Sequence, residues 1–196
     1  MKYPRSFWPA VAVAGFLLMF ASTASATTAT APAGTAYSGS ITASNEGALT
    51  LHGVVDVTCQ KSSLSGSLSQ QGSGVTVIWH MSSFTMTECN QHVSIVKSTS
   101  EFRFHATSGG NGTARWSLME MRVEFTTIFG NVECTFGVNE TDVGAITGAA
   151  SSSSHATWDI NSSPIPVKSG TFLCGSSAEL TGKYKFTSPT GLSVDS

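Results

Sequence analysis

From Gly47 onward, apolar and polar positions alternate with a period of two rather than the 3.6 of a helix. The clearest run sets Leu49, Leu51, Gly53, Val55, Val57 and Cys59 on one face and Thr50, His52, Asp56 and Thr58 on the other, with Val54 the one apolar residue on the wet side. It predicts a single strand of eleven residues. A second run places Met119, Met121, Val123, Phe125 and Phe129 opposite Glu120, Arg122, Glu124 and Thr126. Shorter alternations surround Phe102 and Phe104, Val132 to Val138, and Leu180 to Phe186. Turn-forming clusters separate them at Gln71–Gly74, Ser108–Gly112, Gly130–Asn131 and Ser188–Gly191. Beyond the first residues no segment carries a helical stripe. The pattern predicts an all-β fold, an antiparallel β-sandwich of immunoglobulin-like or jelly-roll-like form with one wet face per sheet.

The amino-terminal segment reads differently. Lys2 and Arg5 precede an apolar run from Phe7 to Phe20, and Ala24-Ser25-Ala26 supplies small residues for cleavage, the pattern of a secretory signal peptide at 1–26. The run is too short for the roughly 20 apolar residues that cross a bilayer. Residues 27–36, rich in Thr and Ala, read as a flexible leader, and 37–196 as one β-sandwich domain. Export gives the cysteines a meaning. Cys59, Cys89, Cys134 and Cys174 all follow the leader, and four cysteines in an oxidising compartment are read most simply as two disulfides. Three connectivities are possible. Cys59–Cys89 with Cys134–Cys174 is favoured, each pair closing a loop of 31 or 41 residues.

Composition narrows the function. Charged residues are 11% of the chain, whereas 31 Ser and 24 Thr are present, so no basic surface for nucleic acid can be assembled. Without Lys2 and Arg5 the chain holds 8 basic and 12 acidic residues, a net charge of −4, which disfavours charge-driven binding to anionic membranes. No stable membrane insertion is expected after signal cleavage.

In feature order the chain resembles a loose group of small bacterial secreted β-sandwich proteins, mostly of unassigned function, that includes the alkane-oxidation activator PraB. The resemblance rests on Leu49 to Cys59, Phe84-Thr85-Met86-Thr87-Glu88-Cys89, Glu133-Cys134-Thr135-Phe136-Gly137, and Cys174 followed by Leu180-Thr181-Gly182-Lys183-Tyr184 and Ser188-Pro189-Thr190-Gly191-Leu192. Arg115-Trp116 stands where that group has a Pro-Trp dipeptide. The resemblance implies an extracellular, non-enzymatic protein of the cell surface or biofilm matrix, or one that handles hydrophobic growth substrates. It carries over no catalytic residues.

Chemical motifs are sparse. There is no Gly-x-Ser-x-Gly elbow, and Glu120 and Glu124 on one strand face are about 13 Å apart at ~3.3 Å per residue, too far for a carboxylate pair. The five histidines show no zinc-ligand spacing, and Asn139-Glu140-Thr141-Asp142 reads as a polar turn rather than a calcium loop. No cofactor, metal or catalytic residue is expected. Trp79, on the face of Val77 and Met81, and Trp158, alternating with Ala156 and Ile160, are expected in the core. Trp116, following Arg115 and a Gly-rich loop, is the expected exposed tryptophan, so Arg115 and Trp116 form the candidate surface-binding pair. The resulting expectation is a secreted, non-catalytic protein of the surface or matrix, binding hydrophobic material or other surface components. A pilin or fimbrial adhesin subunit is the alternative, and a cell-envelope enzyme a more distant one.

Overall fold

The computed structural model describes residues 27–32, 34–70, 77–97 and 99–195, so the expected signal peptide at 1–26 and the turn at Gln71–Gly74 lie outside the described residues. The strands are β1 (Thr28–Thr30), β2 (Ser40–Asn45), β3 (Leu49–His52), β4 (Val57–Gln70), β5 (Val77–Cys89), β6 (His92–Lys97) and β7 (Ser100–Ala106). They continue with β8 (Gly112–Ser117), β9 (Glu120–Thr127), β10 (Gly130–Gly137), β11 (Thr141–Thr147), β12 (Thr157–Ser169), β13 (Ser177–Ser188) and β14 (Ser193–Asp195). Among the described residues, the helical structure is one 3₁₀ turn, Phe172–Cys174.

The eleven-residue strand expected at Leu49–Cys59 is instead a hairpin, in which Leu49 pairs with Cys59, Thr50 with Thr58 and Leu51 with Val57. Directly opposed residues share a face, so a hairpin whose partners are an even number of positions apart preserves the same alternation as one long strand. The pattern alone does not distinguish the two.

The expected sandwich is likewise corrected. The order β2-β4-β5-β7-β8-β11-β12-β13 returns to β2, closing an eight-position antiparallel barrel. β3 prolongs the β2 position after a break at Glu46–Ala48 and pairs with the same two neighbours, β13 and β4. Closure needs bent strands, and the register shifts at Ser65/Gly66, Asp142/Ala145, Ile160/Ser163 and Phe186/Ser188 supply them. At one of these bends, a Cβ on Gly66 would lie 2.1 Å from the His80 carbonyl oxygen and 2.7 Å from Trp79 Nε1, so only glycine fits.

The barrel is filled by its own rings. Trp79, Phe84, Phe102, Phe104, Trp116, Trp158, Tyr184 and Phe186 form one continuous cluster with centroid separations of 4.7 to 6.4 Å, and all eight side chains are buried. Such pairs contribute about 0.5–1.5 kcal/mol each beyond their area. Polar ring atoms are mostly satisfied within the core: Trp116 Nε1 donates to Ser100 Oγ at 2.8 Å and Trp158 Nε1 to the Val143 carbonyl at 2.7 Å. Ser62 Oγ donates to the Thr85 carbonyl and accepts from the Tyr184 hydroxyl at 2.6 Å. Trp79 Nε1, held against Gly66, has no partner.

The leader expected to be flexible at 27–36 is anchored. Thr28–Thr30 pairs with Ser193–Asp195, Ala29 is fully buried, and Thr30 Oγ1 donates to Asp195 Oδ2 at 2.6 Å. The chain ends therefore zip together beside the β7–β8 loop, where Val194 N donates to the Gly110 carbonyl and Ala106 N to Thr27 Oγ1. A partner more than 160 positions away leaves no trace in the local Thr/Ala composition.

A second, smaller layer grows from the barrel. The β8–β11 pair does not stop at the barrel rim. It continues as β9–β10 through mutual bonds of Leu118 N to the Val138 carbonyl and Val138 N to the Met119 carbonyl. Leu118 and Glu140 take φ of 65° and 54° where this long ribbon leaves the barrel wall. β6 adds to the outer edge of β9, and β10 rests against the end of β12. Val123, Phe125, Cys134 and Phe136 from this layer pack on Leu51, Val57, Leu173 and Ala178.

Two outcomes follow from the ring cluster. Trp79→Phe should destabilise the protein by about 1–2 kcal/mol less than Trp116→Phe or Trp158→Phe, because it removes an unpartnered N–H rather than a hydrogen bond, as measured by urea unfolding. Burial raises the Tyr184 phenol well above its ordinary range, against a smaller opposing pull from the Ser62 hydrogen bond. An unfolded tyrosine ionises near pH ~10, so above that pH the unfolded chain loses a proton that the folded one keeps. Stability should then fall with rising pH by up to about 1.4 kcal/mol per unit, and Tyr184→Phe should remove that component in melts between about pH 9 and 11.

Candidate functional site

The sequence-derived pair divides across the barrel wall. Along β8, Gly112, Ala114 and Trp116 face inward while Thr113 and Arg115 face out. Trp116 is 1% exposed and stacked on Phe102 at 4.7 Å, so it is a core ring and corrects the expectation of a surface tryptophan. Its parity with Ala114 is the signal that finds it. Trp79 and Trp158 are buried as expected. Arg115 does reach the surface, where its Nε donates to Asp142 Oδ1 at 2.8 Å in a shallow groove of about 730 Å³ shared with His105, Thr113, Asp159 and Asn161. Gly144 forms part of that groove with a φ of 109°, and a Cβ there would meet the Asp159 carbonyl oxygen at 1.9 Å.

The groove belongs to a belt of cross-strand ion pairs. Arg103–Glu140, Arg115–Asp142, Lys183–Asp159 and Lys185–Glu46 run around the outer face at 2.8 to 3.9 Å, and the His80 imidazole lies 3.5 Å from Glu101. Glu140 and Asp142, the acids of the polar turn, are therefore engaged by arginines. Each pair is partly exposed and worth little on its own.

Two hydroxyl–imidazole–carboxylate rows also appear on wet faces. Ser69 Oγ lies 3.0 Å from His80 Nε2, whose Nδ1 is 3.5 Å from Glu101 Oε1. Thr181 Oγ1 lies 3.2 Å from His52 Nε2, whose Nδ1 is 3.3 Å from Asp56 Oδ1. The imidazoles are 44% and 48% exposed, and the arrangement recurs with different hydroxyls on different strands. That is the outcome of setting histidines among 55 Ser and Thr residues, not a shielded nucleophile. Among the described residues, no group of three His, Cys, Asp or Glu side chains is placed to hold a metal ion.

The distinctive surface is the small layer. The disulfides form in the favoured connectivity, Cys59–Cys89 tying two barrel strands where the chain leaves β5 for β6 and Cys134–Cys174 bracing this layer. The first joins the start of β4 to the end of β5 across a directly paired position, and the second joins β10 to the 3₁₀ turn. β10 is paired with β12 only near Thr135 and Phe136, and β6 begins opposite Glu124, so the end of the β9–β10 ribbon projects past both neighbours. An open cleft of about 740 Å³ separates it from the Cys89–His92 turn.

Register across this ribbon assembles what spacing along one strand does not. Glu124 faces Glu133 directly on the neighbouring strand, and His92 faces Glu124 from the other side. Adjacent carboxylates repel, and each has a cationic or ionisable partner: His92 Nδ1 is 3.3 Å from Glu124 Oε2, and Arg122 Nε is 3.1 Å from Glu133 Oε1. Beyond this row come only uncharged residues, Thr126 to Asn131, and at the apex Ile128 and Phe129 are 94% and 79% exposed. Phe129, expected on the apolar inner face, thus lies outside it, because the chain reverses at Ile128–Phe129 and alternation ends at Phe125. No known protein family, curated protein or solved structure matches the chain.

The bridges close spans of 30 and 40 residues, worth about 3–4 kcal/mol each in chain-entropy terms. Replacing Cys134 and Cys174 together by Ser should therefore lower unfolding free energy by about that amount. Hydrogen exchange should accelerate first in residues 120–137, with the barrel strands protected until global unfolding.

Proposed function

We propose that the protein is a secreted, non-catalytic component of the cell surface or extracellular matrix that engages other surface components and hydrophobic material. The observation that carries this reading is the exposed apolar apex Ile128–Phe129 on a projecting ribbon whose strand β10 is held by the Cys134–Cys174 disulfide. Contact at an outer surface fits a barrel whose interior is occupied by its own aromatic rings. The outward ionisable groups named above are paired with one another, which supports a binding rather than a catalytic role.

Export is supported by the leader pattern at 1–26 and by the two disulfides, which persist in oxidising compartments. Cleavage after Ala26 would leave Thr27 as the new terminus with β1 intact. No helix among the described residues is long and apolar enough to cross a membrane. A donor-strand subunit needs an open position in its sheet, and the bonding of β2 on both edges favours the surface-binding reading over the pilin-like alternative.

Fractionation of the native host followed by amino-terminal sequencing and non-reducing peptide mapping tests the proposal. The expected product lies outside the cytoplasm, begins at Thr27 and carries both bridges. Protein confined to the cytoplasm with four free thiols would refute it.

A further inference from the structure

The β9–β10 loop puts Ile128 and Phe129 at its tip and leaves the positive φ of the turn, 108°, to Gly130. Such a turn accepts polar residues at both tip positions, so exposing 94% and 79% of two large apolar side chains there marks a place of contact. We infer that this apex dips into the surface of an uncharged, zwitterionic phospholipid layer. The inference deepens the surface reading above and rests on it by naming the partner and the residues that touch it.

Several polar groups around the apex are satisfied from within. Thr127 Oγ1 accepts from Phe129 N and donates to the Gly130 carbonyl, both at 3.1 Å, while Thr126 Oγ1 donates to Asn131 Oδ1 at 2.9 Å. A segment that leaves water needs this, because an unmet donor or acceptor in an apolar phase costs several kcal/mol. The shape also selects the partner. The apex is convex and terminal, so a fluid layer can surround it without a prepared pocket.

Charge sets both the depth and the lipid type. The first ionic residues below the apex are Glu124 and Glu133, opposite one another, with His92 and Arg122 beside them. Four residues from Glu124 to Ile128 span about 13 Å at ~3.4 Å per residue, which lets the apex reach the ~5–10 Å of the headgroup boundary before charges meet it. That collar has two carboxylates against one arginine and one histidine, so it offers no attraction to anionic headgroups.

The test uses the purified protein lacking residues 1–26 and vesicles of phosphatidylcholine, alone or with phosphatidylglycerol. The protein should co-sediment with the neutral vesicles with little dependence on salt. The double variant Ile128→Ser/Phe129→Ser, exposed and so neutral to folding, should reduce the partition coefficient by roughly two orders of magnitude, from two side chains worth ~1.5 kcal/mol or more each. Phe129→Trp should gain fluorescence quenching by brominated acyl chains, whereas the buried native tryptophans should not. Three results would overturn the inference: no binding to neutral vesicles, binding unchanged in the double variant, or binding that requires phosphatidylglycerol and vanishes in salt. Self-association abolished by the double variant, without vesicle binding, would assign the apex to a second copy instead. Each of these leaves the export reading to its own fractionation result.

Discussion

Closure of the ladder at β2, which bonds to β4 on one side and β13 on the other, is the constraint on which the rest of the molecule depends. It joins a strand near the beginning of the described chain to one near its end, so no barrel strand is left with an edge to template pairing with another molecule. It also fixes the interior volume, which eight aromatic side chains occupy. With the interior committed to packing, the outer surface is what remains for recognition. Much of the polar barrel wall is covered by charge pairs, and the ribbon apex is among the exposed apolar points that remain.

The ribbon is a consequence of the same ladder. β8 and β11 are neighbours in the barrel, and their pairing continues into β9 and β10 beyond the rim without a change of partner. Leu118 and Glu140, with positive φ, turn the pair outward, and Val123, Phe125 and Phe136, continuous with the barrel core, support it from below. Of the two covalent bridges, Cys59–Cys89 ties barrel strands β4 and β5, and Cys134–Cys174 lies in this layer. This is where a short three-stranded sheet has the least apolar area to bury and gains most from loop closure.

Period-two alternation carried the strand content, the inward direction of Cys59 and Cys134, and the burial of Trp79 and Trp158, because each depends on residues a few positions away. It missed what depends on distant partners. The hairpin within Leu49–Cys59 and a straight strand share one pattern, and barrel and sandwich differ only in whether β13 reaches β2. The pairing of Thr28–Thr30 with Ser193–Asp195 is invisible in a Thr/Ala segment read alone. At the site, Arg115 was found and Trp116 misplaced because loop proximity was weighed above its parity with Ala114. The Glu124–Glu133 row needed strand register, and the Ile128–Phe129 apex was concealed because Phe129 continues the apolar series of Met119 to Phe125 in sequence though not in space.

The zipping of β1 to β14 gives the molecule a direction. Both strands sit by the β7–β8 loop at one end of β8, and the ribbon departs from the other end at Leu118. Whatever holds the protein at Thr28–Thr30 or at Ser193–Asp195, whether a crosslink or a solid support, grips the same pole, and Ile128 and Phe129 then face away from the attachment. Tethered copies would thus stand with a common polarity, like bristles on a brush.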